Sequence, residues 1–150
     1  MPKTILEPKH KILIGIDTGV NTGLAIYDRN QKRLIDIDST QIHRALTKVK
    51  EAIFYSEKVF VRVEDARLRK WIPKQQNEKA ERGRAAGAGS VKRDALIWED
   101  FLEDLGLDYE LVAPKSNKTK LSAPLFNSIT GVNVKTNEHS RDAAMLVFGY

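Results

Sequence analysis

The chain has no cysteine among its 150 residues. That excludes disulfides, zinc–thiolate centres and a thiol nucleophile, and it suits a reducing cytoplasm. No apolar run approaches the roughly 18 residues needed to cross a bilayer, so no membrane association is expected. The opening MPKTILEPKHK carries lysines but lacks the apolar centre and small-residue cleavage site of a signal peptide. There is no internal repeat and no sign of a second domain. At 41% apolar and 30% charged, residues 1–150 are expected to form one globular domain with a real core, residues 1–10 being a tail.

One further absence is local. From Asp94 to Glu110 there are seven acids and no base, whereas from Arg67 to Arg93 nine Lys/Arg accompany two Glu. A basic block beside an acidic one reads as a positively charged surface on a solvated scaffold. The plainer reading is a surface loop whose charge has no role.

Alternating apolar residues predict a strand over 11–17, and Thr22–Tyr27 and Arg33–Asp38 continue it as an antiparallel meander through the polar turn 28–32. Ser39 or Thr40 is the expected cap of a helix whose apolar stripe runs from Ile42 to Ile53. Residues 59–64, VFVRVE, form a fourth strand. Residues 67–88 hold no sustained period and are predicted to be a long basic loop, of the kind that is usually functional in a compact domain. A second amphipathic helix runs from Val91 to Leu105, a fifth strand from Tyr109 to Ala113, and a last helix starts in EHSRDAAM. The fold class is α/β, a mixed five-stranded sheet flanked by helices.

Three acids stand at element ends: Asp17 after the first strand, Glu64 after the fourth, and Asp142 in the last helix. His139 lies three residues before Asp142 and shares its helix face. If the first and fourth strands are neighbours, Asp17 and Glu64 emerge together. Clustered carboxylates repel one another unless a cation sits among them, and an all-oxygen set suits Mg²⁺ or Mn²⁺. Two such ions can drive phosphodiester hydrolysis. The glycines after Asp17, in TGVNTG, would let a phosphate backbone come close. Taken singly, each acid is an ordinary strand or helix end, and a lone histidine near a helix start is most often a surface or capping residue.

At these residues the sequence resembles the RuvC-type Holliday-junction resolvases of the ribonuclease H-like superfamily. The family's G-[IL]-D-x-G, then T-G-x-A, stands here as Gly15-Ile16-Asp17-Thr18-Gly19 and Thr22-Gly23-Leu24-Ala25. Its strand ending in glutamate matches Val61-Arg62-Val63-Glu64, and its H-x-x-D-A-A matches His139 to Ala144. Sugar-kinase and actin-like ATPases share the first signature but need two such domains. YqgF-like proteins open similarly without the H-x-x-D ending. The longer, more basic 67–88 segment departs from bacterial members and fits more divergent phage-type ones.

The resemblance implies a ribonuclease H-like fold and a dimeric, metal-dependent endonuclease nicking four-way DNA junctions. Asp17, Glu64, His139 and Asp142 would hold two Mg²⁺ ions, which Mn²⁺ can replace. Either Lys118 or Lys120 would be the lysine near the cleaved phosphate. Glu64 is preferred to Asp65, whose side chain should point to the opposite face. Arg67, Arg69, Lys70, Lys74, Arg82, Arg84, Lys92, Arg93 and Lys120 would contact DNA phosphates, positioning rather than reading sequence. Trp71 either stacks on an unpaired base at the branch point or, the better reading, anchors the loop.

Overall fold

Five β-strands form one sheet that helices cover on both faces. The computed structural model describes residues 4–56, 58–69, 78–115 and 120–150. Strands β1 (Ile12–Asp17), β2 (Asn21–Asp28) and β3 (Arg33–Gln41) lead into helix α1 (Ile42–Tyr55) and strand β4 (Val59–Glu64). A 3₁₀ turn (Ala66–Leu68), helix α2 (Glu78–Asp104), strand β5 (Asp108–Val112) and helices α3 (Ala123–Thr130) and α4 (Glu138–Met145) follow. The sheet order is β3-β2-β1-β4-β5. β1 pairs antiparallel with β2 and parallel with β4, and β4 is parallel to β5.

Alternation along β1 divides the core in two. Ile14 and Ile16, with Val61 and Val63 of β4, pack under α1 and α2 against Ala45, Val49, Trp98 and Leu102. Leu13 and Phe60 point to the other face, against Phe126 of α3 and Ala143, Ala144 and Val147. Asp17 and Glu64 continue this second series and are register partners at the ends of β1 and β4.

Three expectations need correction. Residues 78–88 are not loop: α2 begins at Glu78, thirteen residues ahead of the first apolar position of the expected helix. That half is rich in Ala, Lys, Arg and Glu, which favour helix without a buried face, so it propagates from the packed half and carries no period. Helix α3 was not expected at all, although Ser122 caps it, a proline stands in its first turn, and Gly131 closes it at φ 73°. Ser39 and Thr40 do not cap α1. They extend β3, paired with Gly23 and Thr22, and the cap position falls to Gln41 without a side-chain bond.

The expected tail is also docked over residues 4–10. The Thr4 N–H donates to the Tyr109 carbonyl at 3.1 Å, and Arg29 donates to the carbonyls of Glu7 and His10. His10, only 2% exposed, bonds Asp108 through Nε2 at 2.7 Å and lies against the Phe60 ring.

Helix α4 lies on the sheet at backbone distance. A methyl group added to Gly15 would collide with the Ala143 carbonyl, and one on Gly23 with the His139 carbonyl. Neither obstacle is a side chain that can turn away. Gly15→Ala and Gly23→Ala should therefore each cost about 1–3 kcal/mol or more, read as a lowered denaturant midpoint. Gly89→Ala is the control: nothing lies within 4 Å of its added methyl, and replacing a glycine within helix α2 should raise stability by up to ~1 kcal/mol.

Candidate functional site

The site lies at the ends of the two central parallel strands. Asp17 and Glu64 reach it as in-register neighbours on β1 and β4. The chain after Asp17 is fastened by its threonines: Thr18 Oγ1 donates to the Glu64 carbonyl at 3.0 Å, and Thr22 Oγ1 to the Gly19 carbonyl at 2.8 Å. Helix α4 starts above them in a capping box, in which the Asn137 side chain accepts from the Ser140 N–H at 2.9 Å and Ser140 Oγ accepts from the Asn137 N–H at 3.0 Å. That fixes the first turn, so His139 and Asp142 face the strand ends.

Each of these groups meets a defined neighbour. His139 Nδ1 lies 2.9 Å from Asp17 Oδ2. Lys120 Nζ lies 2.9 Å from Asp142 Oδ2 and 2.6 Å from Glu138 Oε1. Asp17 is 7% exposed. Burial raises its pKa, the hydrogen bond from His139 opposes this, and the Asp142 charge adds to it. Glu64 is pushed up to about 7, by burial first and then by the charges of Asp17 and Asp142, with Lys120 and Arg69 acting in the opposite sense. Burial works against the Lys120 charge, but its bonds to Glu138 and Asp142 outweigh that and raise its pKa.

The structure brings Asp17, Glu64, His139, Asp142 and Lys120 to one place. Lys118, Lys70, Lys74 and Trp71 lie outside the described residues, as does the side chain of Arg84. Arg69 is exposed and close enough to Glu64 to lower its pKa. Arg82, Lys92 and Arg93 are exposed on α2, Arg93 with bonds to Ser90 and Asp94.

Arg67 is a correction. It grips the buried Asp65 (Nη2 to Oδ2, 2.7 Å) and reaches Glu99 of α2 at 3.1 Å, so its charge is spent inside the protein. Asp65 accordingly faces α2 while Glu64 faces α4. The Gly23 expectation is corrected too, since the space beside it holds α4 rather than a phosphate. Glu138 was overlooked. Its signal was available, because it precedes Asp142 by four residues and so shares its helix face.

Among the described residues, no three His, Asp or Glu side chains already stand close enough together to hold a metal ion. The donor chemistry nevertheless fits a hard divalent cation. The acids are oxygen donors, and burial together with the neighbouring charges of Asp17 and Asp142 raises Glu64, a cost that a cation among them would relieve.

With this sheet order and helices on both faces, the chain has the ribonuclease H-like fold. It is similar to the solved structure of RuvC from T. thermophilus in complex with a Holliday junction substrate. The two share 17% identity and a TM-score of 0.53, over 88% of this chain and 87% of that one. A second Thermus thermophilus RuvC structure matches 88% of each chain at 17% identity and a TM-score of 0.49. The magnesium-bound large terminase nuclease of a thermophilic phage matches at 16% identity and a TM-score of 0.38, over 81% of this chain and 52% of its own. At such identities the likeness is one of fold. No family model and no curated protein matches the sequence.

A raised carboxyl pKa has a thermodynamic consequence. Glu64 should go from 4.5 unfolded to about 7 folded, so the folded state holds its proton longer. Stability present below pH 4.5 is then lost as pH rises through 7. In chelator-treated protein, the melting temperature should fall more steeply between pH 5 and pH 8 for the wild type than for Glu64→Gln. Mg²⁺ should restore the wild type at pH 8 and do little at pH 5. Parallel curves for the two proteins would mean that Glu64 titrates normally.

Proposed function

We propose that the chain is a metal-dependent endodeoxyribonuclease that nicks four-way DNA junctions as a homodimer, in the cytoplasm. The observation that carries this reading is the in-register pairing of Asp17 with Glu64 beneath Asp142 and His139. Such a cluster of acids has no structural purpose of its own, because burying like charges together destabilises the fold. The likeness in fold to a RuvC solved with a junction supports the choice of substrate.

In this reading Asp17, Glu64 and Asp142 hold two Mg²⁺ ions, with His139 as fourth member of the site. Bound there, the ions supply the charge stabilisation that in-line attack of water on a phosphodiester requires. His139 orients the Asp17 carboxylate through their 2.9 Å contact. Lys120, held between Glu138 and Asp142, places a fixed positive charge where negative charge grows on the phosphate oxygens. The products would be a 5′-phosphate and a 3′-hydroxyl. Arg69, beside the site, and Arg82, Lys92 and Arg93 on α2 would hold the DNA arms by their phosphates. Two copies would supply the two sites that paired nicks need.

Cutting of a synthetic four-way junction with Mg²⁺ or Mn²⁺ should exceed cutting of duplex, single strand, flap and RNA–DNA hybrid. Asp17→Asn should lower it by at least ~100-fold. Metal-dependent cutting that survives Asp17→Asn rejects the site, preference for flap or hybrid redirects the substrate, and tight junction binding without turnover makes the chain a binding protein. The two arginines of the 3₁₀ turn should separate as well. Arg69→Ala should reduce the slope of log affinity against log salt by about 1. Arg67→Ala should leave that slope unchanged and lower the melting temperature, since its bonds are internal. Equal effects on the slope would contradict this division.

A further inference from the structure

Next to the carboxylates the protein keeps a cavity of about 140 Å³. Part of its wall is the site itself, Glu64, Asp142 and Lys120. Among the described residues the remainder is chiefly aliphatic: Leu121, Ile129, Met145 and Leu146, with the cationic Lys115 and Arg141. A space of about 150 Å³ between apolar side chains accommodates a benzene ring, so this one matches a single planar ring in size.

The walls are tied in place without a ligand. Arg141 Nε donates to the Leu121 carbonyl at 3.1 Å, and its Nη1 donates to the carbonyl and hydroxyl of Thr136. The segments leading into α3 and α4 are thereby fastened to α4. Leu146, 4% exposed, has its carbonyl held by Arg62 at 2.7 Å.

An aliphatic wall continuous with acids and lysines suits a ligand with a flat ring at one end and a phosphate at the other. A nucleotide has both. We infer that this cavity receives one unstacked nucleobase of the strand whose phosphate lies at the Asp17–Glu64–Asp142 cluster. The inference rests on the nuclease reading and adds what carboxylates alone do not provide, a preference for DNA whose bases can leave the helix. In continuous duplex, extracting a base forfeits its pairing and stacking, whereas a base at a branch or mismatch leaves at lower cost. Cutting is thereby coupled to branched structure.

The test uses the full chain, Mg²⁺ and a four-way junction carrying an abasic nucleotide on one side of the cut phosphate or the other. Ile129, on α3 and 48% exposed, has no part in the proposed metal or phosphate contacts, so Ile129→Trp fills the cavity without touching them. Ile129→Phe serves if the larger ring prevents folding. Wild type should lose at least ~10-fold in cutting rate on one of the abasic junctions. The cavity-filled variant should cut the intact junction about as slowly, with no further loss on the abasic one, because both changes remove the same contact. Equal wild-type rates on intact and abasic junctions would overturn the inference while the nuclease reading stands, and so would an abasic loss as large in the variant as in the wild type. Absence of metal-dependent cutting by the wild type would overturn both.

Discussion

The contact between the backbone of α4 and the sheet sets the geometry of everything at the site. The carbonyls of His139 and Ala143, one helical turn apart, rest on Gly23 and Gly15, which lie on adjacent antiparallel strands. Gly23 is also the register partner of Asp17. The position opposite the acid is therefore empty of side chain, and the start of α4 fills it. With any larger residue there the helix would stand off, and neither the 2.9 Å contact of His139 with Asp17 nor the approach of Asp142 to Glu64 would survive. The glycines of the first motif are thus structural partners of the last motif, more than 100 residues later in the chain.

That long-range dependence separates what was legible in the sequence from what was not. The five strands could be read from period and position, and the meeting of Asp17 with Glu64 followed on the condition, met here, that β1 and β4 are neighbours. The grouping of these two with His139 and Asp142 came from the motif resemblance. The role of Gly23 could not be read, since a glycine beside an acid looks the same whether a phosphate or a helix approaches it. Helix α3 carried all its start and stop signals, but with two turns and one fully buried residue, Phe126, it has no period long enough to detect. The N-terminal half of α2 failed for the opposite reason, being helical with nothing to bury.

Charge was the least legible property, because counting cations does not say where they point. Arg67 and Arg69 are two residues apart, yet the first closes on Asp65 and Glu99 and the second remains exposed near Glu64. Arg62 bonds Glu110 and the Leu146 carbonyl and lies over the Tyr150 ring. Lys48 joins Asp36 to Asp38. These are fastenings, and the wider basic character of the chain overstates what faces a ligand.

The same accounting of partners isolates the chemistry of the cluster. Asp17 has His139 and Asp142 has Lys120, each a cation or potential cation delivered by a different element. Glu64 has no side-chain hydrogen-bond partner among the described residues, and its carboxyl rises to about 7. A fold that gives side-chain partners to two of three neighbouring acids and leaves the third without one among the described residues is held back from its own optimum of stability at neutral pH. Such local strain is a common feature of functional sites, and replacing Glu64 by its amide would relieve it. What the arrangement gains in exchange is a strong, fixed preference for positive charge at the strand ends. That is the property the proposed reading, a site that cuts phosphodiesters, requires before its substrate arrives.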